Sequence, residues 1–196
     1  MRIKSKWREG FAPKGMKENG SVLASIAWRL AEQALMNMQR HDYEISGAQQ
    51  SFTLMAEILA FLIQVGDRIA YRELAPQERV ELVTALAQRI AEILDDNVRG
   101  FVGDTPDSDY KQQFIAKVNG RAADYADYAY GDKGPDFGFK RFLALRIMDV
   151  MSDKDKTWVI DQIMDVEVPE MISAMEKAML NLFSGTASAQ SKLNTA

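Results

Sequence analysis

Apolar residues recur at three- and four-residue steps along nearly the whole chain, the spacing of one face of an α-helix. No stretch alternates apolar and polar residues over the length of a strand. The β-branched residues are scattered among Ala, Leu, Met, Glu and Gln, which favour helix.

Seven helical segments follow from this spacing and from local start and stop residues. The first is expected over Ser21 to about Arg40, after the turn-forming pair Asn19–Gly20, with Leu23, Ile26, Ala27, Leu30, Ala34 and Met38 as its stripe. The second runs from Ser46 or Gly47 to Leu74 and is apolar around most of its circumference. Gln50, Thr53, Glu57, Gln64 and Arg68 leave it one narrow polar strip, and such a helix belongs at the centre of a fold. Pro76 suits the first position of the third helix, which stops near Asn97–Gly100. The fourth is expected to start at Thr105 and Pro106 and reach about Ala129, and the fifth to span Phe137 to Met151 with Asp136 as its cap. Ser152 opens a sixth that runs to about Asp165. Pro169 starts a seventh that ends at Ser184–Gly185.

The expected architecture is therefore all-α: a single-domain bundle of six or seven mostly antiparallel helices over residues 19–184. A basic arm, residues 1–18, precedes it, and a polar tail, residues 185–196, follows it. With 196 residues the chain can bury a sizeable core.

Charge adds one asymmetry. The arm holds Arg2, Lys4, Lys6, Arg8, Lys14 and Lys17 against Glu9 and Glu18, a balance of +4, so the rest of a chain of net charge −4 stands at −8. A basic arm can touch phosphates or an acidic partner, but a solvated terminus is the simpler expectation. No apolar run follows it, so a secretory leader is not expected. The longest apolar run, "FTLMAEILAFLIQV" (residues 52–65), falls short of the ~20 residues of a membrane span and carries Glu57. A cytoplasmic location is expected.

Several chemistries lack their residues. The chain has no cysteine, so disulfides, thiolate metal sites and a cysteine nucleophile are excluded. Its one histidine, His41, cannot furnish a paired Glu-x-x-His di-iron site or a three-histidine zinc site. It lies beside charged residues at a helix end, where an exposed or capping role is expected. No phosphate-binding glycine loop and no nucleophile elbow occurs. Calcium loops fail in both acidic frames: counting from Asp124, position three is Ala126 and position twelve is Pro135; counting from Asp107, position five is Lys111. The N-terminal half has no compact basic helix-turn-helix, so nucleic-acid binding is not expected.

Three groups remain as candidates. Asp124 and Asp127 share one helix face with Tyr128 and stand where the helix dipole disfavours carboxylates, with Tyr125 on the apolar side. Arg121 can offset Asp124; the alternative is a ligand or metal role. Glu57 is either buried with a partner or, as the narrow strip suggests, exposed. Met171, Met175 and Met179 step by four, and six of the eleven methionines fall within residues 148–179, which fits core packing or a partner-binding groove. The leading expectation is a non-catalytic protein that associates with another protein and with its own copy, without cofactor. The alternative is a metal- or small-ligand-binding bundle, even an enzyme, that uses Glu57, Asp124, Asp127, Tyr125 and Tyr128.

Overall fold

The computed structural model describes residues 15–103 and 109–193, with side chains to 184. The protein is all-α. Its helices are α1 (Met16–Arg40), α2 (Gly47–Glu73), α3 (Pro76–Phe101), α4 (Tyr110–Ala126), α5 (Phe137–Val150), α6 (Lys156–Asp161) and α7 (Val168–Leu193). A π-helical segment, Gln162–Glu167, joins the last two. A two-residue β ladder, Tyr130–Gly131 against Gly134–Pro135, brackets the turn between α4 and α5.

Helix α2 is the axis of the fold. It packs on α1, α3, α4, α5 and α7, and each residue from Leu54 to Gly66 is buried. A helix apolar around its circumference meets this demand only when neighbours surround it. Helix α1 lies most extensively on α3. Gly20 sits at that crossing: a Cβ there would stand 2.7 Å from the Ala85 Cβ and 2.8 Å from the Leu82 carbonyl oxygen. Asn19 and Gly20, expected as a turn, are buried inside α1, which starts five residues earlier than Ser21. Long-range packing overrides the local preference of Gly for a break. Of the basic arm, residues 1–14 lie outside the described residues; Met16, Lys17 and Glu18 already belong to α1.

Local start signals fare better where the partner is a near neighbour. Pro76 occupies the first turn of α3, and the Glu78 carboxylate accepts from the Ala75 N–H. Asp136 caps α5 by accepting from the Phe139 N–H at 2.7 Å, and also accepts from the Ala129 N–H, so one carboxylate ties the two helix ends together. These backbone donors hold its carboxyl below the usual range. Thr105 and Pro106 lie outside the described residues; the cap of α4 is Asp109, whose side chain accepts from the Gln112 N–H.

The C-terminal third departs from the expected break. Ser152 does not open a helix; it and Asp155 form the turn before Lys156. The backbone then stays helical from α6 through the π segment into α7, and α7 continues to Leu193 instead of stopping at Ser184–Gly185. Pro169 is the second residue of α7. It offers no N–H to the carbonyl of Asp165, and its ring crowds that carbonyl. The wider π turn just before it accommodates the mismatch without breaking the helix.

Candidate functional site

Glu57 projects from the middle of α2 toward α4 and is only 5% exposed. This corrects the exposed strip expected for it. Arg121 binds it through two bonds, Nε to Oε2 and Nη2 to Oε1, both 2.8 Å, and the Lys117 ammonium adds a third to Oε1. Lys117 and Arg121 are one helical turn apart on α4, so both reach one point on α2. Burial pushes the Glu57 carboxyl up, but the bonds from Arg121 and Lys117 together outweigh it and hold it below the ordinary carboxylate range. Glu57 is thus an ionised strut between two helices, with its oxygens already engaged by cations.

Arg121 also meets Asp124 at 3.1 Å, the pairing expected from their spacing. Its guanidinium lies 5.7 Å from the centre of the Phe142 ring. Behind it Tyr125 is buried among Phe61, Phe139 and Phe142, with ring centres 4.5 Å apart for Tyr125 and Phe139. Burial is the first cause that raises the Tyr125 hydroxyl above its ordinary pKa, and the charge of Glu57 adds to it. Tyr128 is half-buried, its ring tilted against that of Phe142 and lying over Gly138, where a Cβ would stand 2.6 Å from it. Asp127 is exposed at the C-cap of α4. The negative helix end is met from α2, where the Arg68 guanidinium donates to the Tyr125 carbonyl at 3.0 Å.

The five candidate residues therefore do not converge on one cavity. Glu57 and Asp124 share Arg121, Tyr125 and Tyr128 belong to an aromatic cluster, and Asp127 faces solvent. Among the described residues no three His, Asp or Glu side chains gather in a metal-holding arrangement. Met171, Met175 and Met179 are buried; Met175 and Met179 lie against Gly66 of α2. Of the two expectations for this stripe, the structure shows core packing and not an open groove; the spacing alone fits a covered face as well as an open one.

A second buried carboxylate was not apparent in the sequence. Glu167, 2% exposed, ends the π segment. Gln162 donates to its Oε1 at 2.9 Å and Asn37 of α1 to its Oε2 at 3.2 Å, while Asn37 itself accepts from Gln33. No cation bonds to it among the described residues. Burial raises its pKa, the two amides and the charge of His41 oppose that, and Glu170 adds to it. Ionisation then favours the unfolded chain: stability is full below the ordinary carboxyl pKa and falls as pH rises through the raised folded value. Glu167→Gln, with the Gln162 amide turned over to accept, is expected to raise Tm at about pH 7.5 by roughly 2–4 °C, the shift that ~1 kcal/mol makes in a chain of this size. The gain should vanish near pH ~3, where both states are protonated. Calorimetry at the two pH values checks this; an equal gain at both would remove ionisation as the cause.

Two clefts flank α4. One, about 180 Å³, lies between α2, α3 and α4 and is lined by Phe52, Ala56, Val98, Tyr110 and Phe114, with Lys117 on its edge. The other, about 350 Å³, opens over Gln64. Lys117 was not among the candidates, and Gln64, expected on the narrow polar strip of α2, is instead buried. The i, i+4 pair of cations on α4 was the available signal for the first, and the polar interruption of an apolar helix for the second. No helix among the described residues is long and apolar enough to cross a membrane. Compared with known proteins, the chain matches no family model, no curated protein and no solved structure.

Proposed function

We propose that this is a non-catalytic protein that works by association, with a second copy of itself as the first partner. The observation that carries the reading is an exposed aromatic beside an aromatic-lined hollow. Phe101, at the end of α3, is 64% exposed, and its ring centre lies 6.1 Å from that of Phe52, which lines the 180 Å³ cleft. A knob and a hole on one surface suit a two-fold interface, in which each copy inserts its knob into the other's hole. Gln49, Thr53, Gln113 and Lys117 give the hollow a polar edge, the arrangement of an interface with an apolar centre. Aromatic anchors of this kind carry a large share of binding energy.

The engagement of Glu57 by Arg121 and Lys117 favours this reading over a carboxylate-based ligand site or enzyme. A cytoplasmic location is part of the proposal; a chain without cysteine suits a reducing compartment. Light scattering coupled to size-exclusion chromatography tests it. The expected particle has twice the 22.1 kDa chain mass, and Phe101→Glu should weaken self-association at least ten-fold, about 1.4 kcal/mol. A chain that stays at 22.1 kDa at high micromolar concentration contradicts the proposal.

A further inference from the structure

The 350 Å³ cleft has a different chemistry and shares no lining residue with the Phe101 hollow. Its size falls within the range of small-molecule sites. The walls are aliphatic, from Ile63, Val83, Ala87, Ile115 and Val118, and no aromatic ring lines it. Its one carboxylate, Asp67, is already bound by the Arg79 Nε and Nη2 at 2.7 and 2.6 Å.

Gln64 lies in the floor. It is only 6% exposed, within the buried run of α2. The three buried carboxylates among the described residues each receive two donors or more: Glu57 from Arg121 and Lys117, Asp155 from the Glu44 N–H and the Ser152 hydroxyl, Glu167 from Gln162 and Asn37. The Gln64 carboxamide has no hydrogen-bond partner among the described residues. Gln64 lines the cleft, and neither of its polar atoms is among those sealed from solvent without a partner. An amide that bonds no protein group adds nothing to the hydrogen bonding that holds the fold, and Leu or Met would fill the same space on an otherwise apolar helix. Thr84, Gln88 and Asn119 place further neutral donors and acceptors on the lining.

We propose that this cleft binds a small neutral molecule with a carboxamide or lactam edge on an aliphatic body, and that Gln64 pairs with that edge. A carboxamide presents N–H donors beside a carbonyl acceptor, and another amide edge complements both at once. A charged ligand would find no free counter-charge in the lining, and an aromatic ligand no ring to stack on. Aliphatic walls and a neutral donor–acceptor pair select the class.

The test is a titration of the ¹⁵N-labelled full chain with δ-valerolactam, followed by two-dimensional NMR. Saturable shifts of the Gln64 side-chain amide and of the Ala87 and Ala122 backbone signals are expected. N-methyl valerolactam, which lacks the donor, should bind at least ten-fold more weakly, and Gln64→Leu should abolish the difference between the two. The Gln64→Leu chain should keep or raise its thermal midpoint. Ala122→Phe, which fills the cleft from its exposed wall, should block binding without touching Gln64. Absence of saturable shifts overturns the proposal, and so does equal affinity for the N-methyl compound or unchanged binding in Gln64→Leu. A marked loss of stability in Gln64→Leu also overturns it, because the amide would then be engaged within the fold.

Discussion

Arg121→Met is expected to lower the unfolding free energy by about 3 kcal/mol at neutral pH, the lower end of what breaking a buried ion pair from one side costs. The substitution removes both bonds that the guanidinium makes to Glu57, its bond to Asp124 and its position over Phe142. The penalty comes chiefly from what is left behind. Glu57, 5% exposed in the parent fold, is left as an ionised group of the interior with Lys117 alone to offset it. Lys117, with a side chain 29% exposed, keeps the loss from reaching the upper end of the range. Urea unfolding followed by circular dichroism measures the change.

A companion variant separates an unpaired charge from lost packing. Glu57→Met combined with Arg121→Met should recover more than half of the loss, because an apolar pair of similar volume has no desolvation penalty, while Lys117 can extend its ammonium to water. The acid limb gives an independent sign. The carboxyl of Glu57 lies below its ordinary value, so its stabilisation is present above the unfolded carboxyl pKa of about 4.3 and is lost as pH falls through the folded value. Arg121→Met removes the first of the bonds that lower it, so the stability gap between variant and parent should narrow as pH falls through the parent's folded value. A single variant within 1 kcal/mol of the parent, or a double variant no better than the single, would mean that the Glu57 network is not the strut between α2 and α4.

The reach of the sequence follows from how far away each residue's partner lies. Pro76, Asp136 and the Arg121–Asp124 pair were legible because the groups they meet are at most a few residues off, and a helix dictates their spacing. The burial of Glu57 was not, because Arg121 lies 64 residues away and only the docking of α4 on α2 turns a thin polar strip into an interior ion pair. The methionine stripe carried one period and two meanings; burial against α2 decided between them. Gln64 and Glu167 show a further limit. In sequence they are ordinary helical polar residues, and only the surrounding helices make one an unpartnered amide and the other a carboxylate held by amides. The continuous path from α6 to α7 was hidden for another reason: a π turn lets a proline sit where the usual helical spacing demands a start.

Gly20→Val should destabilise the fold by about 3 kcal/mol through steric overlap at the crossing of α1 and α3. Local propensity acts in the other direction. Glycine inside a helix is less favourable than alanine by about 1 kcal/mol, so in an open position a side chain at residue 20 would stabilise α1. The sign of the effect therefore reports the geometry. A Cβ at Gly20 stands 2.7 Å from the Ala85 Cβ, 2.8 Å from the Leu82 oxygen and 2.9 Å from the Leu86 nitrogen. Two of these three are backbone atoms of α3 and cannot turn away, so the helices must separate along a contact that buries Leu23, Ala24 and Ala27 of α1 and Leu82 and Leu86 of α3. At 2–4 °C per kcal/mol for a chain of this length, Tm falls by roughly 6–12 °C. Ala85→Gly in the same chain relieves only the side-chain overlap, so its rescue should be partial. Complete rescue would place the whole conflict at Ala85, and a Tm raised by Gly20→Ala would show that α1 and α3 do not approach this closely in solution.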